Sequence, residues 1–248
     1  ILFMIVPDVE TMDQSSTALK ILITFGEAGL ILIPIIFIKS RNLSYREVFR
    51  WQPIPANMVF WSIILGLSIS IVGDEMDRLV SILIPAPDFL DEISQALRIG
   101  SFTDFIILFC GTVIVASFVE ESIIRGFLQK SLEKYQDVTR AVIYASLAWT
   151  IIHGMLYWAI QIFLLGIVLG LLAWRANSII PAVIAHAINN AAALFFYNIN
   201  QQNLDGIYLW GNHVSPLFLI PALAGLFYGI QAFYRHYSRP PQIPVSPN

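Results

Sequence analysis

The sequence predicts an all-α fold: a polytopic transmembrane helical bundle of about seven spans plus an amphipathic helix. Three observations predict it. Hydrophobic residues make up 57% of the 248 residues and charged residues only 12%, about half the charge fraction of an ordinary soluble domain. The apolar residues fall into runs long enough to cross about 30 Å of hydrocarbon at 1.5 Å per residue. The short segments between those runs collect most of the Lys and Arg.

The elements follow in order. Ile1 to Val6 is apolar but too short for a span or a signal peptide, and fits the stub of a helix lying upstream. Spans are expected at roughly Ala18–Ile38, Asn57–Val72, Phe102–Val119, Thr139–His153, Trp158–Trp174, Ser178–Tyr197 and Ser215–Tyr234. The third continues as a more polar helix to about Tyr135. The fourth and fifth are joined by so short a turn that they should form an antiparallel hairpin. Gly73 to Gly100 carries six acidic residues and is broken by Pro85 and Pro87. Its Leu79, Val80, Leu83 and Ile84 suggest an amphipathic helix on or in the membrane surface. Residues 1–238 are read as one transmembrane domain with a motif-bearing core at about 100–200. The proline-rich residues 239–248 are read as a disordered tail.

Charge sets the orientation and excludes one class of partner. A net charge of −3 offers no basic face for nucleic acid. Basic residues cluster after span one (Lys39, Arg41, Arg46, Arg50), between spans three and four (Lys130, Lys134, Arg140), at Arg175, and after span seven (Arg235, Arg239). With seven spans all four places fall on one side, which the positive-inside rule makes cytoplasmic. The protein is therefore read as a multi-pass cell-membrane protein with its N-terminus outside and its C-terminus in the cytoplasm. Lys20, at the outer end of span one, runs against this pattern. The one cysteine, Cys110, is read as a small buried hydrophobe.

Ionisable groups inside a bilayer are costly and face inward when retained. Glu27 lies in mid-span one between Gly26 and Gly29, and marks a polar interior or pairs with a cavity residue. Asp104 is read as a helix-start residue facing the positive dipole end. Three further clusters stand out. Glu121 and Arg125 are four apart, so they share a helix face and can pair, as in any interfacial helix. Glu120 points about 100° away and needs another partner. His153 ends an apolar span, one turn after Trp149. His186 and Asn190 share a face of an alanine-rich span, where the plain alternative is polar glue between helices. Counting from Lys134 and Arg140, Glu120 and His153 each lie roughly 20 Å in, and His186 lies roughly 12 Å deep, so the three can meet in one stratum. A carboxylate, two imidazoles and an amide suit peptide hydrolysis: a glutamate takes a proton from water, a histidine shares it, and the remaining donors meet the oxyanion.

These motifs, Glu120-Glu121…Arg125, Trp149…His153 and His186…Asn190, resemble in type and order those of the CPBP family. That family comprises the CAAX proteases and bacteriocin-processing enzymes, also called Abi proteins, and it includes the Ras-converting CAAX endopeptidase. The resemblance covers roughly residues 100–200, including the small-residue helix opening at Pro181. It implies an intramembrane glutamic endopeptidase with Glu120 as water-activating base assisted by His153. It implies His186 and Asn190 as the oxyanion site, with Glu121 and Arg125 in support. Trp149 stands where Phe is common, a change expected to alter packing rather than chemistry. No cofactor is implied; zinc is the lesser alternative, since no His-Glu-x-x-His helix is present. The expected partners are the lipid bilayer and a peptide or protein substrate at the membrane. The competing reading is a non-enzymatic bacteriocin-immunity or scaffold protein of the same fold. Transport is disfavoured by the lack of an inverted repeat.

Overall fold

A computed structural model describes residues 16–200 and 204–238. The expected upstream helix stub at residues 1–6 and the expected disordered tail at 239–248 lie outside the described residues. The bundle is built from seven long helices, α1 (Thr17–Ser40), α3 (Ala56–Leu83), α5 (Phe102–Leu132), α6 (Val138–His153), α7 (Leu156–Ala176), α8 (Ile180–Asn198) and α9 (Pro216–Tyr237). Two short helices, α2 (Tyr45–Val48) and α4 (Phe89–Ala96), lie between them. One small antiparallel hairpin, β1 (Leu209–Trp210) with β2 (His213–Val214), closes the α8–α9 connection. Six of the seven long helices are long and apolar enough to cross a membrane. The exception is α6, whose 16 residues span about 24 Å. It stops at His153 because Gly154 adopts a left-handed φ of 67° as its C-cap. The outer surface is apolar: Phe25, Ile33, Phe102, Ile151 and Leu217 are all more than 70% exposed, as lipid-facing side chains of a span are.

The second span is longer than the sequence suggests, and the amphipathic segment is correspondingly shorter. Leu79, Val80 and Leu83 ride the last two turns of α3, with Ile84 as its C-cap, and only Phe89–Ala96 forms a separate amphipathic helix. The acidic residues do not end α3 because each finds a partner. Asp74 bonds Arg78 and Tyr208, Asp77 accepts from the Trp158 indole, and Glu75 holds His213 and the Val214 N–H. The break comes at Pro85 and Pro87, which cannot donate to the preceding turn. Cys110 also differs from expectation: it is exposed, on the outward side of α5, where an apolar thiol is as well placed against lipid as in a core.

Packing depends on small residues. A Cβ on Gly66 of α3 would lie 2.8 Å from Ile188 Cβ and 3.0 Å from Ala185 Cα. Glycine there lets α3 and α8 touch backbone to backbone. The main core gathers Leu65, Ile124, Trp149, Leu169, Ala182 and Ala185. At one end of the bundle the basic segments meet. Ile179 N–H donates to Arg50 O (3.1 Å), Ser178 Oγ donates to Gln52 O (2.5 Å), Arg50 pairs with Glu133, and Arg175 reaches Tyr234 O (3.2 Å). The basic places after α1, α5, α7 and α9 thus share one end. At the other end Lys20 is buried against Asp104 at 3.0 Å. An ion-paired lysine shielded in this way is not a free positive charge, which removes its conflict with the others. Asp104 does sit in the first turn of α5, and its carboxylate also takes Thr17 Oγ1 and the Gly100 N–H, while Ser101 caps the helix.

Candidate active site

α5 carries the two adjacent glutamates on a six-residue α-helical stretch, Ala116–Glu121, between two π-helical stretches, Phe109–Val115 and Ser122–Gln129. The wider π turns rephase the helix and recur at functional sites. Adjacent residues on a helix diverge by about 100°, and here the two carboxylates part company. Glu121 turns into protein: it is fully buried, and its Oε1 accepts from Arg125 Nη1 at 2.8 Å and meets His186 Nδ1 at 2.9 Å. Glu120 turns into a cavity of about 530 Å³ that also takes in His153, His186, Asn190 and Trp149.

Trp149 links the parts. Its indole Nε1 donates to Glu120 Oε2 at 2.5 Å. Its ring meets those of His153 and His186 edge-on, at centroid separations of 4.8 and 5.4 Å. The Arg125 guanidinium lies over it at 4.4 Å. Phenylalanine at this position would keep the ring contacts but not the N–H. The sequence places Trp149 among the supporting residues, with its replacement of Phe expected to alter packing rather than chemistry. The signal that distinguishes the two roles is a polar aromatic, rather than Phe, one turn before a site histidine.

The imidazoles are oriented differently. His153 Nδ1 lies 2.8 Å from Trp149 O. A carbonyl only accepts, so Nδ1 carries the proton and Nε2 presents a lone pair. That Nε2 lies 3.9 Å from Glu120 Oε2. The two hydrogens of one water at ordinary hydrogen-bond length reach acceptors about 4 to 4.5 Å apart. His186 Nδ1 must donate to the Glu121 carboxylate, and its Nε2 is the remaining polar atom. Asn190 Nδ2 donates to Thr112 O at 2.8 Å and more weakly to Ser117 Oγ at 3.4 Å. Both amide hydrogens are therefore engaged, and only the one on Ser117 is lightly held.

All seven residues singled out by sequence are thus in one place: Glu120, His153, His186 and Asn190 on the cavity, Trp149 between them, Glu121 and Arg125 beneath. Sequence reasoning missed Thr112 and Ser117, which hold Asn190 and look unremarkable in an apolar run. Glu27 also lines the cavity, within electrostatic reach of Glu120 and His186. Asp74 and Asp77 of α3 line its far side, where Trp158 covers Asp77. Nearby, outside the spans, burial and the Asp74 carboxylate hold the Tyr208 phenol protonated well beyond its ordinary range. Among the described residues no group of three or more His, Cys, Asp or Glu side chains is arranged to hold a metal ion.

Comparison with known proteins agrees with the motifs. Residues 102–192 match the family described as type II CAAX prenyl endopeptidase Rce1-like. The matched stretch runs from the start of α5 to within α8 and holds all seven site residues. It bears out the resemblance to the CAAX protease family, a family of endopeptidases. No curated protein and no solved structure matches the chain.

Proposed function

We propose that this protein is an intramembrane endopeptidase that hydrolyses a peptide bond by glutamate-activated water. The observation that carries the reading is the facing pair of acceptors on the cavity wall, Glu120 Oε2 and His153 Nε2 at 3.9 Å. A water donating one hydrogen to each turns its oxygen lone pair outward, toward a carbonyl carbon in the cavity. Glu120 then takes the proton as the bond to carbon forms, a contribution worth about 10²- to 10⁴-fold. Trp149 holds Glu120 at one oxygen, so the carboxylate does not have to be ordered during the reaction.

The negative charge that develops on the carbonyl oxygen falls to His186 Nε2 and Asn190. His186 donates from Nε2 to the oxyanion while its Nδ1 donates to Glu121, which requires both ring nitrogens to carry hydrogen. Asn190 contributes by turning its lightly held hydrogen from Ser117 to the oxyanion, and one such donor is worth about 10²- to 10³-fold. Glu121 and Arg125 are positioning residues, fixing His186 and Trp149 from below.

The substrate is a membrane-associated peptide or protein whose scissile segment enters the cavity. The matched family acts on prenylated CAAX tails by its description, which makes a farnesylated tail the first peptide to try. The chemistry needs no metal. Activity is expected to survive EDTA and 1,10-phenanthroline in full; chelator-sensitive activity restored by zinc would replace this mechanism with a metal-assisted one. The deciding experiment compares peptides released in membranes bearing the wild type and Glu120→Gln. Products present with the first and absent with the second support the reading. Retained cleavage by a folded Glu120→Gln protein defeats it.

A further inference from the structure

Peptide hydrolysis needs an acid as well as a base, because an amine leaves only when its nitrogen is protonated. Among the residues described so far only Glu120 can supply it, by giving back the proton it took from water. His153 presents a lone pair, His186 and Asn190 face the oxyanion, and the Trp149 N–H is committed to Glu120. Further ionisable side chains line the same cavity: Asp74 and Asp77, which are both hydrogen-bonded, and Glu27. Glu27 comes from α1 into the cavity, and its Oε2 is shut off from solvent with no hydrogen-bond partner among the described residues.

Its position is built, not incidental. Lys20 of α1 is buried against Asp104 of α5 at 3.0 Å. One turn on, Thr24 packs on Gly111 of α5, where a Cβ would overlap the threonine side chain. Glu27 follows Thr24 by three residues on the same helix face, so the contacts that fix α1 against α5 also fix Glu27 on the cavity. Charge points the same way. Arg125 and His186 are both engaged with Glu121. A third negative charge at Glu27 would be unopposed, in a setting where uncompensated charge is expensive.

We propose that Glu27 is the catalytic acid that protonates the leaving amine. The assignment rests on the endopeptidase reading above. The water oxygen bonds to the carbonyl carbon while its proton passes to Glu120. When the tetrahedral intermediate collapses, the carbon–nitrogen bond breaks, its electron pair goes to nitrogen, and nitrogen takes the proton of the Glu27 carboxyl. Glu27, left as a carboxylate, recovers a proton from Glu120 across the cavity. Water and peptide are consumed, acid and amine are formed, and both glutamates return to their starting states.

The test uses the full chain in proteoliposomes and two substrates of one peptide sequence, an amide and a p-nitrophenyl ester. Nitrophenolate departs without a proton, so the ester needs the base but not the acid. Glu27→Gln is expected to lower kcat/KM for the amide by about 100-fold and for the ester by no more than about threefold. Glu27→Asp, which keeps a carboxyl group, should hold the amide-to-ester ratio within about threefold of wild type and serves alone if the glutamine variant does not fold. A parallel fall on both substrates, or undiminished amide hydrolysis, overturns the assignment. Glu120→Gln run alongside separates the two claims. If it is inactive while Glu27→Gln cleaves the amide normally, only the role of Glu27 falls. If it cleaves the amide normally, the endopeptidase mechanism falls and the role of Glu27 with it.

Discussion

Replacing Arg125 with methionine takes the cation out of the most enclosed ion pair in the bundle. Neither Arg125 nor Glu121 has any exposed side-chain surface, and they meet at 2.8 Å. Methionine fills much of the same volume but leaves the Glu121 charge buried beside one imidazole. Breaking a buried pair from one side costs about 3–5 kcal/mol. The lost stacking over Trp149 at 4.4 Å is contained within that figure, since both contacts belong to one guanidinium. In a chain of this size each kcal/mol moves Tm by about 2–4 °C, so Arg125→Met should melt about 6–20 °C below wild type. Glu121→Gln alone leaves Arg125 unpaired and should fall by a similar amount. The double variant removes both charges while glutamine still offers His186 an acceptor, so it should recover at least half of the summed loss, a coupling of about 3 kcal/mol. The assay is thermal unfolding of the three variants and the wild type in one detergent. Additive losses, with coupling below about 0.5 kcal/mol, would refute the reasoning that the pair acts as a neutralised unit.

Three further outcomes are expected. Trp149→Phe removes one hydrogen bond to a carboxylate, worth about 1.5–3 kcal/mol, and should lower Tm by about 3–12 °C and kcat/KM by about 10- to 100-fold; wild-type turnover would reduce Trp149 to a packing residue. Gly66→Val must push α8 off α3, because its Cβ would sit 2.8 Å from Ile188 Cβ; overpacking of about 1–3 kcal/mol should lower Tm by about 2–12 °C, and an unchanged melt would contradict the close approach. In a Cys110→Ser background, Lys134→Cys is expected to label with an impermeant maleimide from the cytoplasmic face and Asn212→Cys from the opposite face. Labelling of both from one side would reject the topology.

Much of this arrangement was legible in the sequence because a bilayer penalises polar groups so heavily. In an apolar chain, Glu120, His153, His186 and Asn190 stood out from the runs around them, even though an interfacial helix and polar glue between helices remained plain readings, and helical spacing alone gave the Glu121–Arg125 pair. What was not legible depended on contacts between distant segments. The length of α3 follows from partners for Asp74, Glu75 and Asp77 that come from residues 158, 208, 213 and 214, so an acidic run that reads as an interface is the inner lining of a span. Lys20 reads as a topological exception until Asp104, 84 residues on, is found against it. The engagement of the Asn190 amide by Thr112 and Ser117 leaves no pattern in the sequence, because both are isolated hydroxyl residues in an apolar run.

The two glutamates of α5 show how one turn of helix can divide support from chemistry. Side by side in sequence, they differ by about 100° in direction, and that is enough to place one in the packed interior and the other on a cavity. Glu121 gains an arginine and a histidine, and so becomes part of the frame. Glu120 gains only the Trp149 N–H and a lone-pair neighbour in His153, and so keeps proton-accepting capacity. The same Trp149 ring touches both environments, stacking under Arg125 and bonding to Glu120. A disturbance of the buried pair should therefore reach the Glu120 carboxylate through the indole. This gives the Arg125→Met variant a second expected effect: at temperatures well below its melting point its kcat should fall, and an unchanged kcat would show that the indole does not carry the disturbance.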